Sequence, residues 1–248
     1  AVFLAPGCVN GRPWHHPAYD PLWAEIERLD VPGRIGIKGI ERSNGGPSAA
    51  RNTGLDHVAA GTEYVAFLDS DDEWAPSHLR TAVFALDRGF DFYFANYVPL
   101  HTSRTIFELH DIRPRDHERL WPDRPLHRYR GDLFDDILRK GHVGTPTVAY
   151  RFGKFRDLRF PGDVVTSGDN YLWLKLTLTT DRIVFSDAVE ARCGSGVNIF
   201  AGSGWGTDGA LTRISSDLRI RKAYLRDFPL TSKQAESTVG IIRRHRSD

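Results

Sequence analysis

The stretch Glu63-Tyr-Val-Ala-Phe-Leu68 is an unbroken apolar run that stops at Asp69, and it constrains the fold more than any other feature of the chain. It is too short for a helix, and without polar alternation it fits a strand covered on both faces. Covering both faces of a strand requires helices packed above and below a sheet. The flanks supply them. From Pro47 to Ala60 the residues Ala49, Ala50, Leu55, Val58 and Ala59 fall on related helical faces, with Pro47 near the first turn and Gly61 as the stop. Leu79, Ala82, Val83 and Leu86 keep helical spacing up to Gly89, and Phe90-Asp-Phe-Tyr-Phe94 reads as the next strand. Ahead of them, Arg34–Ile40 predicts a short strand and Ser43-Asn-Gly-Gly-Pro-Ser48 a dense turn. The order strand, turn, helix, strand, acidic turn, helix, strand predicts an α/β fold with a mostly parallel sheet flanked by helices.

The remainder is less periodic. Residues from about Asn96 to Arg130 are rich in Arg, His, Asp and Pro and predict a long loop or lid. Asp132–Lys140 predicts an amphipathic helix closed by Gly141, Thr145–Tyr150 a strand, Asp169–Thr179 a helix, and Arg182–Phe185 a strand. Gly194–Gly209 reads as a Gly-rich loop, and the tail 210–248 as two helices broken at Pro229. A length of 248 residues fits one α/β domain, here 1–209, followed by that helical tail.

Composition excludes several classes. With 33 Lys+Arg against 32 Asp+Glu the net charge is +1, which argues against a nucleic-acid partner. Two cysteines, Cys8 and Cys193, make no disulfide framework and point to a reducing, cytoplasmic setting. No apolar run approaches the roughly 20 residues of a membrane span, and Ala1–Ala5 lacks the basic start of a signal peptide. The tail segment Arg243-Arg-His-Arg246 allows at most weak contact with an anionic membrane surface. Nothing in the sequence sets an oligomeric state.

Chemistry concentrates in two segments. Asp69, Asp71 and Asp72 lie where the buried strand emerges, at the end of a strand where open α/β sheets bind ligands. Three crowded carboxylates are compensated most simply by a hard divalent cation, Mg²⁺ or Mn²⁺. The alternative is an acidic start to the helix that begins near Ser77. An EF-hand loop is excluded, because Trp74 stands where that loop needs Gly. In the second segment, Asn44 through Gly54, the glycines Gly45 and Gly46 permit close backbone approach and the following helix offers free N–H groups to an anion. Arg51 adds a permanent cation, unless it is solvated or paired to a surface acid. Trp121, Tyr129 and Trp205, in predicted loops, are candidates to stack on a sugar, and His15-His16 fits a solvated loop.

Asn-x-Gly followed by Ala-Arg-Asn-x-Gly, then an apolar strand ending in Leu-Asp-Ser-Asp-Asp, resembles the inverting glycosyltransferases of family 2. The resemblance implies a GT-A fold, with residues 1–95 as the nucleotide-sugar-binding half and 96–209 as the acceptor side. It implies a nucleotide-diphosphate sugar as donor, and a saccharide, lipid-linked or small-molecule acceptor. Carried across, Asp69 faces the ribose, Asp71 ligates the metal with Asp69 nearby, and Asn44, Gly45 and Arg51 line the nucleotide sugar. The family also carries Glu-Asp, two residues, then Leu-Trp-x-Arg on a helix, with that Asp as catalytic base. Here Gly168-Asp-Asn-Tyr-Leu-Trp-Leu-Lys175 puts Asp169 at the base position, with Gly168 for the Glu and Lys175 for the Arg. The bland alternative makes Asp169 an N-cap of a helix whose Tyr171, Leu172, Trp173 and Leu176 face the core. Two departures stand out. Only 43 residues precede Asn44, little room for the family's first two strands with their helices, so an abbreviated first half is expected. No His lies between His142 and His245 to serve as the family's late metal ligand. Both departures, with Gly168, favour the rival expectation of a catalytically inactive nucleotide-sugar-binding relative.

Overall fold

A computed structural model describes residues 2–4, 40, 42–43, 45–162, 167–194 and 207–247. The strand expected at Arg34–Ile40 lies, but for Ile40, outside the described residues, as do Asn44, Cys8, His15, His16 and Trp205. In chain order the elements begin with β1 (Val2–Leu4), α1 (Gly46–Asp56), β2 (Tyr64–Leu68), β3 (Glu73–Trp74), α2 (His78–Asp87) and β4 (Phe92–Val98). They continue with α3 (Ile106–His110), β5 (Glu118–Arg119), β6 (Leu126–Arg128), α4 (Leu133–Lys140) and β7 (Ala149–Arg151). The last are α5 (Gly168–Thr177), β8 (Ile183–Arg192), α6 (Asp208–Asp227) and α7 (Ser232–Ser247).

The apolar runs behave as their composition demands. Val65 to Leu68 of β2 and all seven residues of β4 are buried, so both strands are covered on two faces. The strands form one sheet in the order β1-β2-β7-β4-β8-β6-β5, with β3 paired to β8 off that path. Its directions differ from the expectation of a mostly parallel sheet. β1 with β2 and β4 with β8 are parallel, whereas β7 runs antiparallel to both β2 and β4, and β3, β5 and β6 are antiparallel to their partners. An apolar run reports coverage on two faces, and it carries no information on strand direction. β5 and β6 are joined by only a short turn, which serves antiparallel neighbours alone.

Two further expectations need correction. The region 96–130 is not one long loop. β4 continues to Val98, and α3 follows, held by a capping box in which Thr105 and Glu108 exchange side-chain and backbone bonds. β5 and β6 then extend the sheet beyond β8. The strand expected at Thr145–Tyr150 divides into a 3₁₀ turn at Thr145–Thr147 and the short β7. The proline at its second position holds φ in the helical range and withholds an N–H, so pairing begins only after it. By contrast α4 follows its sequence signals closely, with Asp132 capping the Asp135 N–H and Gly141 ending it at φ 60°.

The core between sheet and helices is an aromatic slab. Phe67 packs edge-on against Phe160 at 5.4 Å and lies 5.9 Å from Trp173, while Phe92 stacks on Trp173 at 6.1 Å. Five of the ten residues of α5, Tyr171, Leu172, Trp173, Leu174 and Leu176, are buried apolar side chains, so this helix is enclosed nearly all round. The tail helices, which break around Pro229 as expected, join the same core. Tyr171 meets Phe228 at 5.0 Å and donates to Asp227 at 2.8 Å, and Gln234 of α7 donates to Asp135 of α4.

Asp91, at the entry to β4, shows how charge secures this frame. It is 3 % exposed and accepts from Lys154 at 2.5 Å and Thr180 at 2.7 Å, with Arg151 at 3.4 Å. Burial alone would raise its pKa, but the bonds from Lys154 and Thr180 and the charges of Lys154 and Arg182 hold it below the usual carboxylate range. A depressed carboxylate contributes stability that is complete above its unfolded pKa of about 4 and is lost as pH falls through the lower folded value. Its cationic partners are partly solvated, so Asp91→Asn is expected to cost about 1–2 kcal/mol at pH 7, less than a fully buried pair. Urea unfolding at pH 7 and again near pH 3 checks this: the gap between wild type and variant should narrow on acidification.

Candidate active site

The acidic turn is built where β2 ends. Asp72 N–H returns to the Asp69 carbonyl at 3.1 Å, and β3 immediately pairs with the end of β8, Glu73 opposite Arg192 and Trp74 opposite Ala191. The Trp74 indole N–H donates to the Pro146 carbonyl. Beyond β8, Gly194 donates its N–H to Asp72 at 3.1 Å. A Cβ on Gly194 would lie 1.6 Å from the Asp71 carbonyl oxygen, so only glycine lets the two segments meet this closely. The Cys193 thiol, a residue the sequence alone marks as ordinary, lies beside Asp72.

The acids of this turn are crowded and half-buried. Burial and the charge of Asp69 push the Asp72 carboxyl up to about 7, against a smaller opposing pull from the Gly194 N–H. Asp71 is raised by burial and, less, by Asp69. Cys193 is pushed up to about 12 by burial and then by Asp72. Among the described residues, Asp69 alone of this turn has a full counter-charge, Arg51 of α1.

That pair shows where the Arg51 side chain goes. The side chain is buried, and its Nη2 donates to both oxygens of Asp69 at 2.7 Å. Burial would lower the guanidinium's pKa, but Asp69, Asp169 and Asp72 together raise it. Arg51 therefore lies in the field of all three acids. It is neither solvated nor paired at the surface. Its plane sits 5.5 Å over Phe160, and the next residue, Asn52, exchanges two hydrogen bonds with the Phe160 backbone at 2.9 and 2.8 Å. The Arg-Asn pair thus does two jobs: Arg51 holds Asp69, and Asn52 holds the segment beneath it. Gly46 opens α1 at φ 80°, a left-handed value that glycine adopts without strain. Gly45 leaves room for the Arg42 guanidinium, which a Cβ would approach to 2.7 Å.

Asp169 is the second residue of α5, whose N-cap is Ser167, so it is not the capping residue of the bland alternative. Its Oδ1 accepts from the N–H of Asn170 at 2.9 Å and its Oδ2 from the Thr145 hydroxyl at 3.0 Å. Gly168 brings α5 against α1, where a Cβ would come within 2.5 Å of Ser48 Oγ. Tyr97, at the end of β4, completes this side: burial, Cys193, Asp169 and Asp72 all raise its pKa, so its phenol stays protonated beside the acids. Thr145, Tyr97 and Cys193 carry no motif that sequence reasoning could have used. Among the described residues, no group of three or more His, Cys, Asp or Glu is placed to hold a metal ion by itself. Of the predicted sugar-stacking residues, Tyr129 is buried and bonded to Asp136 and belongs to the core, whereas Trp121 lies in the loop after β5, half-buried against Phe84 at 5.2 Å.

Comparisons with known proteins bear on the fold and the family. A TM-score of 0.56 relates the chain to the crystal structure of Staphylococcus aureus TarS 1–349, at 17 % identity over 98 % of this chain and 61 % of that one. The shared feature is the fold, a GT-A-like sheet flanked by helices. The succinoglycan biosynthesis protein ExoW of Rhizobium meliloti is 32 % identical over 185 residues, 73 % of this chain and 57 % of that protein. The minor teichoic acid biosynthesis protein GgaA of Bacillus subtilis is 46 % identical over 80 residues, 32 % of this chain and 16 % of that one. The chain spans less than two thirds of the length of each. The model of glycosyl transferase family 2 matches residues 19–158, a range that contains Asn44, Arg51, Asp69 and Asp71 and ends before Asp169. On that match the chain belongs to glycosyl transferase family 2.

Proposed function

We propose that the chain is the catalytic part of an inverting glycosyltransferase that moves one sugar from a nucleotide-diphosphate sugar to an acceptor hydroxyl. The observation that carries this reading is the convergence of Asp69, Asp72 and Asp169 on the buried guanidinium of Arg51. Asp69 on the donor side and Asp169 on the base side thereby act on one guanidinium. The names of ExoW and GgaA, tied to succinoglycan and minor teichoic acid biosynthesis, support a bacterial surface polysaccharide as the acceptor class.

In this reading Gly46 leaves backbone open to the donor's diphosphate at the start of α1, and Gly45, next to Asn44 in the chain, seats the Arg42 guanidinium beside it. Asp69, oriented by Arg51, meets the nucleotide. The donor set suits a hard cation, because the acids of the turn offer carboxylate oxygens and, among the described residues, Arg51 pairs with Asp69 alone of the three. Asp71, with Asp69, would hold Mg²⁺ or Mn²⁺ together with the phosphates and water. A cation held by these residues would supply Lewis-acid neutralisation of the charge on the diphosphate. Asp169 takes the proton of the acceptor hydroxyl as that oxygen attacks the anomeric carbon. The new C–O bond forms opposite the breaking bond to the diphosphate, and configuration inverts. The protonated Tyr97 phenol is a hydrogen-bond donor beside the same acids.

The tests are direct. With UDP-, GDP- and dTDP-sugars, thermal stabilisation should single out a donor nucleotide, and nucleoside diphosphate should be released when Mn²⁺ is present. Binding without any release would identify a non-catalytic relative instead. Asp169→Asn should lower transfer by about 10²–10⁴-fold, the range of a lost general base, while calorimetry finds nucleotide-sugar binding unchanged. Retained transfer in that variant would remove Asp169 from the role. EDTA and Asp71→Asn should each abolish release, with added Mn²⁺ restoring the first and not the second.

A further inference from the structure

The geometry points to Thr145 as a positioning residue for Asp169, fixing the carboxylate in the orientation that proton transfer requires; this rests on the proposed role of Asp169 as base. Thr145 is 4 % exposed, and its hydroxyl donates to Asp169 Oδ2 at 3.0 Å. The other oxygen accepts from the Asn170 N–H at 2.9 Å. With one donor on each oxygen the carboxylate cannot rotate freely about its Cβ–Cγ bond, and each oxygen keeps a lone pair for an incoming proton. A general base works only when held within hydrogen-bond reach of the proton it takes, so a locked carboxylate shortens the search for reactive geometry.

The segment that carries Thr145 is itself held from several sides. Thr147 donates its hydroxyl to the Gly144 carbonyl at 2.8 Å and its N–H to the same oxygen at 3.0 Å. Pro146 restricts φ within the turn. The Tyr97 ring lies so close to Gly144 that a Cβ there would meet it at 2.6 Å. Most telling is the bond from the Trp74 indole to the Pro146 carbonyl. Trp74 follows the acidic turn by two residues, and Pro146 follows Thr145 by one. A single short path, Asp72 to Trp74 to Pro146 to Thr145 to Asp169, therefore spans the gap from donor side to base side. The sequence hides this path, because its two ends are about a hundred residues apart and Thr145 carries no motif.

The test measures transfer from whichever UDP-, GDP- or dTDP-sugar of the panel the wild-type chain turns over. Thr145→Val keeps the volume and removes the hydroxyl. It should lower kcat by about 10-fold, the worth of one hydrogen bond to a charged group, with KM for the nucleotide sugar within about twofold of wild type. Thr145→Ser restores the hydroxyl and should recover most of kcat. Should the valine variant fail to fold, Thr145→Ala is read in the same way. Wild-type kcat in Thr145→Val, a serine variant as slow as valine, or a loss confined to KM would each overturn the positioning role. An inactive Asp169→Asn beside a normal Thr145→Val overturns this inference and leaves the base reading standing. A fully active Asp169→Asn, or no turnover of any sugar by wild type, overturns both.

Discussion

The buried guanidinium of Arg51 is the point on which the site depends. A cation taken out of water is tolerated only where opposite charge and hydrogen bonds replace its hydration. Asp69 supplies both at 2.7 Å, which ties α1 to the end of β2. Asp169 and Asp72 add their fields from two other directions. The same side chain rests on Phe160, and Phe160 packs edge-on against both Phe67 and Trp173. One cation thus couples an electrostatic cluster at the surface to the aromatic slab beneath it.

That slab explains why two segments about a hundred residues apart come together beside Arg51. Trp173 is fully buried between Phe67 of β2, Phe92 of β4 and Phe160. It anchors α5, and with α5 so anchored, Asp169 in its first turn sits facing the acidic turn that ends β2. Small residues set the distances: Gly168 lets α5 approach α1, and Gly194 lets the chain after β8 lie on the Asp71 backbone. The antiparallel insertion of β7 between β2 and β4 brings the 145–147 turn, and with it Thr145, to the same edge.

Local signals in the sequence correspond to real features wherever a single segment suffices to express them. The apolar runs became covered strands, Asp132 and Gly141 bound α4, and Pro229 separates the two tail helices. The compact motif from Gly45 to Asp72 also reads correctly as a cluster at one sheet edge, since its parts lie within one strand–helix–strand unit. Less legible was anything that depends on a distant partner. The capping box at Thr105 and Glu108 was present as a pattern but lay in a stretch whose charged composition resembled a loop. Tyr129 looked available because exposure cannot be read from residue type, and it proved to be a core side chain, while Trp121 stays half-buried in its loop against Phe84.

The sequence by itself determined that buried strands end in carboxylates beside a glycine-opened helix, because burial periodicity and turn chemistry are local properties of consecutive residues. It also determined the family, through residues contiguous enough to be recognised together. Only the tertiary structure decided strand direction, the pairing of Arg51 with Asp69, and the bond from Thr145 to Asp169. Each of these is a contact between segments far apart in the chain, formed because the aromatic core brings them to one sheet edge, and no local pattern encodes which distant side chain will be waiting there.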